Sequence, residues 1–220
     1  FIKKITSLEA FRKVTRQTAI FSHNSYTAYP FQMNLYGLPK EVIYECIEGY
    51  VQRNNNDKDP KNFHAWVLKH FGRGMGKHFF FPYNGKLAAC DVRQIMASWT
   101  GRFVPQTNLR AILQGALEPA DVTSVGYNSH FFYPHQGGIQ HLINSLLGAI
   151  QTPCRFNHRA VEINQTNKTV VFENGATTRY RYLVNTAPLP HLLGRLRGKT
   201  KPSYSTAMQE LSCNSVINFN

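Results

Sequence analysis

The chain has 220 residues, of which 42% are hydrophobic and 13% aromatic, and this composition excludes a disordered protein. Its formal charge of +13, from 25 Lys and Arg against 12 Asp and Glu, suits an anionic partner. Because the basic residues are dispersed along the chain, we expect a small anionic ligand and no nucleic acid. No apolar run approaches the roughly 20 residues of a membrane-spanning helix, so we expect no membrane span.

The spacing of cysteines and histidines argues against disulfides and against a metal site. The cysteines stand far apart and form no C-x-x-C motif, which favours a reduced, cytoplasmic setting. No two of the clustered histidines have the four-residue spacing that would place them on one helix face, so we expect no metal. The residues concerned are Cys46, Cys90, Cys154, Cys213, His130, His135 and His141.

The first half of the chain predicts a hairpin followed by helices. In "KVTRQTAIFSHNSYTAYPF", two strands flank the polar turn "SHNS", and the second strand ends at Pro30. Pro39 opens a helix in "KEVIYECIEGYVQRN", and "NFHAWVLKHFG" predicts another that ends at Gly72. Further helices are predicted in "VRQIMASW" and in "TNLRAILQGAL", the latter capped by Thr107 or Asn108. The predicted apolar face of the first helix consists of Val42, Ile43, Ile47 and Val51.

Three segments of this half resemble binding loops. "GRGMG" follows a helix and not a strand, so it predicts a helix end and a loop and not a phosphate-binding turn. "FFFPYNGKL" is either a corner between helices or a set of hydrogen-bonding groups beside an aromatic wall. "YTAYPFQMNLYGLP" sets aromatic rings against Gln32 and Asn34, which indicates either a grip on a flat polar ligand or a strand leaving a sheet.

The second half predicts a strand, a helix and a strand meander. "GYNSHFFYP" is the strand, and "HQGGIQHLINSLLGAI" is a helix that follows a glycine turn. Gly137 and Gly138 let a backbone or a flat ring approach, and the helix start favours negative charge. From Cys154 the period changes to two, with a hairpin turn at "ENG", a last strand at "YLVNTAP" and a further strand begun in "CNSVINFN". The order of elements predicts an α+β fold.

Several of these segments, taken in order, resemble one enzyme family. The set comprises "YPFQMNLYGLP", "PYN.KL", "W.G.RF", "GYN..F.YP..GGI..L" and the closing strands with "LV.T.P". It is similar to the middle of UDP-galactopyranose mutases and of the related FAD-dependent oxidoreductases of the flavin amine oxidase and protoporphyrinogen oxidase superfamily. The resemblance extends over nearly the whole chain.

The resemblance implies a helical subdomain and an antiparallel sheet that cover part of a dinucleotide-binding domain. On this map residues 1–37 and 119–135 are sheet strands, and residues 38–118 are the helical substrate subdomain. Residues 136–198 return to the FAD domain, and residues 199–220 begin further strands. The glycine fingerprint of the family would lie upstream, so we expect the chain to be an internal fragment with an incomplete FAD domain and little activity alone.

The resemblance also implies a cofactor, a substrate class and their contacts. FAD would be the cofactor, a nucleotide-sugar the substrate, and the reduced flavin the nucleophile, so that the protein's task is to orient the sugar and to hold a diphosphate. The implied substrate-binding residues are Tyr29, Phe31, Gln32, Asn84, Arg102 and Asn128. The implied cofactor-binding residues are Gly137, Gly138 and Val161.

Two alternatives stay open at this point. The mutase pattern has tryptophan where this chain has Ala88, which favours an amine-oxidase or protoporphyrinogen-oxidase type of FAD-dependent oxidoreductase with another small-molecule substrate. The basic composition is also compatible with a binding module that has no enzymatic activity.

Overall fold

The structure, a computed structural model, describes residues 4–54, 59–119, 130–198, 203–211 and 214–217. The chain divides into two compact units, Phe1–Ser145 and Leu146–Asn220. Both contain helices together with mainly antiparallel strands, which confirms the predicted α+β class.

The first unit begins with strands and continues with helices. Its elements are, in chain order, the strands β1 (Phe11–Thr15), β2 (Ala19–Ser22) and β3 (Ser25–Ala28), the helices α1 (Lys40–Val51) and α2 (Phe63–Met75), a π-helix (Gly76–Phe80), the helices α3 (Phe81–Ala88), α4 (Thr100–Phe103) and α5 (Leu109–Leu117), the strand β4 (His130–Pro134) and the helix α6 (Gln140–Ala149). The division between the two units falls within α6.

The strands of this unit form two antiparallel pairs. β2 and β3 are the predicted hairpin, and β1 pairs with β4 from Phe11 opposite Pro134 to Thr15 opposite His130. The hairpin turn consists of His23 (φ 51°) and Asn24 (φ 57°). Two successive residues with positive φ give a turn whose twist matches that of the strands, so "SHNS" is the turn that its polar residues predicted.

α1 and α2 pack directly on each other because glycines remove the side chains at their crossing. A Cβ at Gly74 would lie 2.0 Å from the Glu45 carbonyl oxygen, and one at Gly72 would lie 1.9 Å from that of Gly49. Only glycine lets the backbones of α1 and α2 approach so closely. In this packing Val42, Cys46 and Tyr50 are buried in the core. The predicted face of α1 is confirmed for Val42, which is buried, and for Ile43 and Ile47, which are partly buried and packed against the core. It was wrong for Val51, which is 60% exposed, and it omitted Cys46 and Tyr50.

The glycine-rich segment after Phe71 is helical, so the predicted loop was wrong. Gly72, at φ 80°, breaks the helix locally, but the chain resumes helical geometry through Met75 and the π-helix into α3. "FFFPYNGKL" is likewise mainly helix α3 and not a turn at Asn84, since Pro82 lies in the first turn, where its missing N–H costs nothing.

The helix predicted in "VRQIMASW" does not form. The Asp91 carboxylate accepts from the Arg93 backbone N–H at 2.8 Å, which favours a turn. The Ile95 carbonyl then accepts from the Phe63 backbone N–H at 2.7 Å at the start of α2. The contacts of this segment with its own turn and with the start of α2 thus replace the hydrogen bonds of a helix. α5, by contrast, forms as predicted, and Asn108 caps it.

The core of the first unit consists mainly of the buried faces of α1 and α2 and the segment between the hairpin and α1. Its fully or nearly fully buried members are Phe31, Leu35, Leu38, Val42, Cys46, Tyr50, Phe63, Trp66, Val67, Phe71, Met75, Phe80, Val92 and Ile112.

The second unit is a four-stranded sheet with helices. Its elements are β5 (Ala160–Asn164), β6 (Thr169–Phe172), β7 (Thr177–Arg179), α7 (Leu189–Arg195), β8 (Leu196–Arg197) and α8 (Ser203–Glu210), with sheet order β7-β6-β5-β8. The meander β5-β6-β7 and the "ENG" turn, with Gly175 at φ 80°, were predicted, whereas the parallel pair β5-β8 was not.

Two predicted strands of this unit were wrong. "YLVNTAP" is irregular, and the chain from Pro188 onward begins α7, for which Pro188 and Pro190 provide a favourable first turn. The predicted strands of 199–220 are replaced in their described part by α8, whose Ala, Met, Gln and Glu are good helix formers, and residues 214–217 are irregular.

Candidate functional site

A stack of three aromatic rings joins two of the segments singled out in the sequence. Phe31 stacks on Phe79 with centroids 4.7 Å apart, and Phe79 stacks on Tyr83 at 5.2 Å. The stack runs from the core, where Phe31 is fully buried, to the surface, where Tyr83 is 54% exposed. The π-helix inserts Phe79 between the other two rings. We call these three rings the aromatic ladder; its outer member, Tyr83, is exposed to solvent and is supported by Phe79 and the buried Phe31.

The two amides predicted to contact substrate are bound to backbone carbonyls. Gln32 is 2% exposed, and its Nε2 donates to the Pro105 carbonyl oxygen at 2.6 Å. Asn84 is 8% exposed, and its Nδ2 donates to the Phe80 carbonyl oxygen at 2.9 Å. Phe31, Gln32 and Asn84 are therefore buried in this structure, and their contact with the substrate stays a prediction.

A cleft of about 180 Å³ is formed almost entirely by the stretch from Tyr26 to Tyr36. Its two tyrosines are 73% and 48% exposed, and the Tyr26 ring contacts Phe21 with centroids 5.0 Å apart. Asn34 lies at the floor of the cleft. Its Nδ2 donates to the Pro30 carbonyl oxygen at 2.8 Å, and its backbone carbonyl accepts from the Thr27 hydroxyl. The cleft is lined by Tyr26, Thr27, Ala28, Asn34, Tyr36 and Pro119.

The composition of the cleft is compatible with one of the two interpretations of this stretch, a grip on a flat polar ligand. Aromatic walls above a floor of hydrogen-bonded backbone suit a flat ring with polar edges. Tyr26 and Tyr36, which bracket the stretch, are the exposed aromatic residues of the cleft, and the predicted substrate contacts Tyr29, Phe31 and Gln32 lie between them in the sequence. Tyr29 is half-buried in this segment.

The two remaining predicted substrate residues are Arg102, which belongs to the described part of the chain, and Asn128, which does not. Arg102 is exposed on α4, with its guanidinium carbon 5.8 Å from the centroid of the Phe103 ring. An exposed guanidinium is suited to phosphate, which it can bind in two parallel hydrogen bonds. Asn128 belongs to residues 120–129, outside the described part of the chain.

The glycine turn before α6 has the open backbone that a cofactor contact requires. Gly137 and Gly138 have φ values of 74° and 57°, in the left-handed region that glycine adopts more readily than other residues. A Cβ at Gly138 would lie 3.3 Å from the Tyr133 hydroxyl oxygen. The absence of both Cβ atoms leaves the backbone of the turn accessible, so these residues fit the predicted role of contacting a cofactor.

Val161, in the second unit, also fits a backbone contact. The pairing of β5 with β6 is irregular between Ala160 and Glu162, and in the described pairings of β5 Val161 has no partner residue. Its side chain is 39% exposed. A bulge of this kind leaves the N–H and C=O of one residue outside the ladder, where they can bind a ligand edge.

Burial shifts the pKa values of three groups in the helical part of the first unit. Burial raises the pKa of the Cys46 thiol to about 12, and burial lowers the pKa of His64 and that of His70. These shifts follow from packing: the His64 ring stacks on Phe81 at 4.5 Å and the His70 ring lies 4.6 Å from Trp66. They do not form an acid and base pair around the cleft.

Two further observations concern only the described residues. Within them, no three His, Cys, Asp or Glu side chains come together in a way that could hold a metal ion. The same part of the chain contains no helix that is both long and apolar enough to cross a membrane.

Comparison with known proteins identifies the family. The family model described as flavin containing amine oxidoreductase matches residues 9–220. A crystal structure of reduced UDP-galactopyranose mutase is similar, with a TM-score of 0.81 and 25% sequence identity over 93% of this chain. The chain spans 44% of that mutase chain. The cofactor is FAD, as the sequence resemblance predicted, because the matched family is one of flavin-containing enzymes. The chain therefore belongs to the flavin-containing amine oxidoreductase family and is a mutase-like member of it.

Proposed function

We propose that the protein is a FAD-dependent enzyme that acts on a nucleotide-sugar, and that this chain supplies much of the substrate side. The observation that carries the proposal is the likeness to the reduced mutase, which extends over 93% of the chain. The cleft supports it, because two exposed tyrosines above a polar floor suit a nucleobase.

The residues of this chain have separate tasks in the proposal. Tyr26 and Tyr36 bind and orient the base, and Tyr83 offers a further stacking face at the end of the aromatic ladder. Arg102 binds the diphosphate and holds its charge as the bond to the sugar breaks. Gly137, Gly138 and Val161 contact the cofactor, which when bound supplies the flavin chemistry of the family. Asn128 stays a predicted substrate contact.

One observation favours a second function. Ala88 is the last residue of α3, where the mutase pattern has tryptophan, so this side of the site lacks an aromatic wall. An amine-oxidase or protoporphyrinogen-oxidase type of reaction, in which the flavin takes a hydride from a small substrate, would not need that wall. In that case the protein binds no UDP.

The test uses the full-length protein, which is inspected for bound yellow flavin as purified and is then reduced with dithionite. We expect UDP to bind and UDP-galactofuranose to be converted to the pyranose form. Arg102→Ala should weaken UDP binding by roughly tenfold to a hundredfold, the range for loss of charge-assisted hydrogen bonds. Arg110→Ala, which removes another exposed arginine from the neighbouring α5, is the matched control and should leave binding unchanged.

The alternative outcomes are distinct. A yellow protein that neither binds UDP nor converts the sugar excludes the mutase reaction and leaves the oxidoreductase. A colourless protein excludes both flavin functions. The cytoplasmic location stays a prediction from the scattered cysteines, of which Cys46, Cys90 and Cys154 are free thiols.

A further inference from the structure

A chain of polar contacts joins the hairpin turn to the π-helix. Ser22 Oγ lies 2.7 Å from His23 Nδ1, and His23 Nε2 lies 3.1 Å from His78 Nδ1. On the far side, His78 Nε2 lies 2.8 Å from Glu45 Oε2, which also accepts from Lys77 Nζ at 2.6 Å. Ser22 and His23 belong to the hairpin, Glu45 to α1, and Lys77 and His78 to the π-helix.

The contact between the two imidazoles depends on how many protons they carry. When both rings are neutral, His78 Nε2–H donates to Glu45, which leaves Nδ1 as the acceptor of His23 Nε2–H. When one proton is added, one ring is charged and donates from Nδ1 or Nε2 to the other, so the contact is retained and strengthened by charge. When both are charged, two N–H groups and two positive charges face each other, and the contact is lost.

The surroundings do not compensate for the second proton. Within the described part of the chain, the groups that contact the pair are the Ser22 hydroxyl and the Glu45 carboxylate, and the Lys77 ammonium lies on the other side of that carboxylate. Hydrogen bonds from Lys77 and His78 lower the pKa of Glu45, so the carboxylate stays charged when the medium is acidified. One carboxylate then faces three cations.

The geometry points to a proton-operated latch: we propose that the His23–His78 contact holds the β2–β3 hairpin against the π-helix and that a second proton releases it. Both sides of the latch belong to elements of the candidate site. The hairpin carries Tyr26 of the cleft wall, and His78 directly precedes Phe79 of the aromatic ladder. Release would therefore move the strand that carries Tyr26 relative to the aromatic ladder on acidification. The latch does not depend on the flavin reaction proposed above.

Hydrogen exchange of the full-length flavin-loaded protein tests the latch. Exchange of the β2 and β3 amides, corrected for intrinsic rates and referred to the α5 amides, is compared between about pH 7.5 and about pH 5. We expect hairpin exchange to rise about tenfold at the acid end, the size of a lost charge-assisted hydrogen bond.

His23→Asn removes the ring and keeps the turn, because asparagine tolerates positive φ. We expect faster hairpin exchange at both pH values and no remaining pH dependence. His191→Asn, an exposed histidine on α7 in the second unit, is the control and should behave as the wild type. His78→Gln is measured in the same way if His23→Asn is insoluble. The proposal is overturned if hairpin exchange in the wild type does not change with pH, or if it changes by the same factor in His23→Asn or His78→Gln as in the wild type.

Discussion

Substituting Gly74 by alanine tests whether the glycine crossing determines how α1 and α2 pack. The new Cβ would lie 2.0 Å from the Glu45 carbonyl oxygen and 2.7 Å from the Cys46 Cα. Both are backbone atoms of α1, so no side chain can rotate away. Contacts of this kind normally need 3.4 to 4 Å, and α1 must therefore move by more than about 1 Å.

The size of the effect follows from two opposing contributions. Overpacking of a close-packed core costs about 1–3 kcal/mol, and the shift also loosens the contacts of Cys46 and Tyr50 with α2. Alanine in place of glycine stabilises a helix by roughly 0.5–1 kcal/mol. We expect a net loss of about 2 kcal/mol in the free energy of unfolding, which lowers the Tm by roughly 4–8 °C for a protein of this size.

Thermal unfolding followed by tryptophan fluorescence is the assay. The chain's two tryptophans, Trp66 and Trp99, both stack on Phe63 and report on this core. Gly85→Ala is the matched control, since its Cβ would meet the nearest atom at an ordinary 3.5 Å. That variant should be unchanged or slightly more stable. If Gly74→Ala were as stable as Gly85→Ala, the crossing would not require glycine and the reasoning would be refuted.

Two other predictions concern titratable groups of the same core. Because burial raises the pKa of Cys46 to about 12, we expect iodoacetamide at pH 8 to alkylate the exposed Cys154 and to leave Cys46 unmodified, as peptide mass mapping can show; rapid labelling of Cys46 in native protein would contradict this. Burial lowers the pKa of His70 in the folded state, so the unfolded state binds more protons, and stability should fall as the pH drops from about 6.5 through the lowered folded pKa. His70→Phe, which can still stack on Trp66, should reduce this acid loss of Tm, and an equal loss in the variant would refute the assignment.

Much of the secondary structure could be predicted because its causes are local. The hairpin turn at His23 and Asn24 follows from polar residues that tolerate positive φ, and α5 begins where Asn108 can cap it. The meander β5-β6-β7 follows from a period of two and the "ENG" turn. In each case neighbouring residues interact with one another, so no knowledge of the fold was required.

The tertiary structure alone decided which faces pack and which side chains meet. Gly49, Gly72 and Gly74 let the backbones of α1 and α2 touch, and this contact brings Cys46 and Tyr50 into the core beside the predicted Val42. The segment 92–99 has a helical composition, but the Ile95 carbonyl accepts a hydrogen bond from the Phe63 backbone N–H at the start of α2 and not from within a helix of its own.

For the candidate site, too, some features could be predicted from the sequence and others depend on tertiary packing. The sequence alone determined the family and the α+β class, because these depend on motifs that are read along the chain. Packing alone decided that Phe31, Gln32 and Asn84 are buried and that Tyr26, Tyr36 and Tyr83 are exposed. The predicted substrate contacts of the three buried residues stay a prediction. The His23–His78 contact joins residues 55 positions apart. Such pairs depend on the packing of whole elements, and no local pattern of residues specifies them.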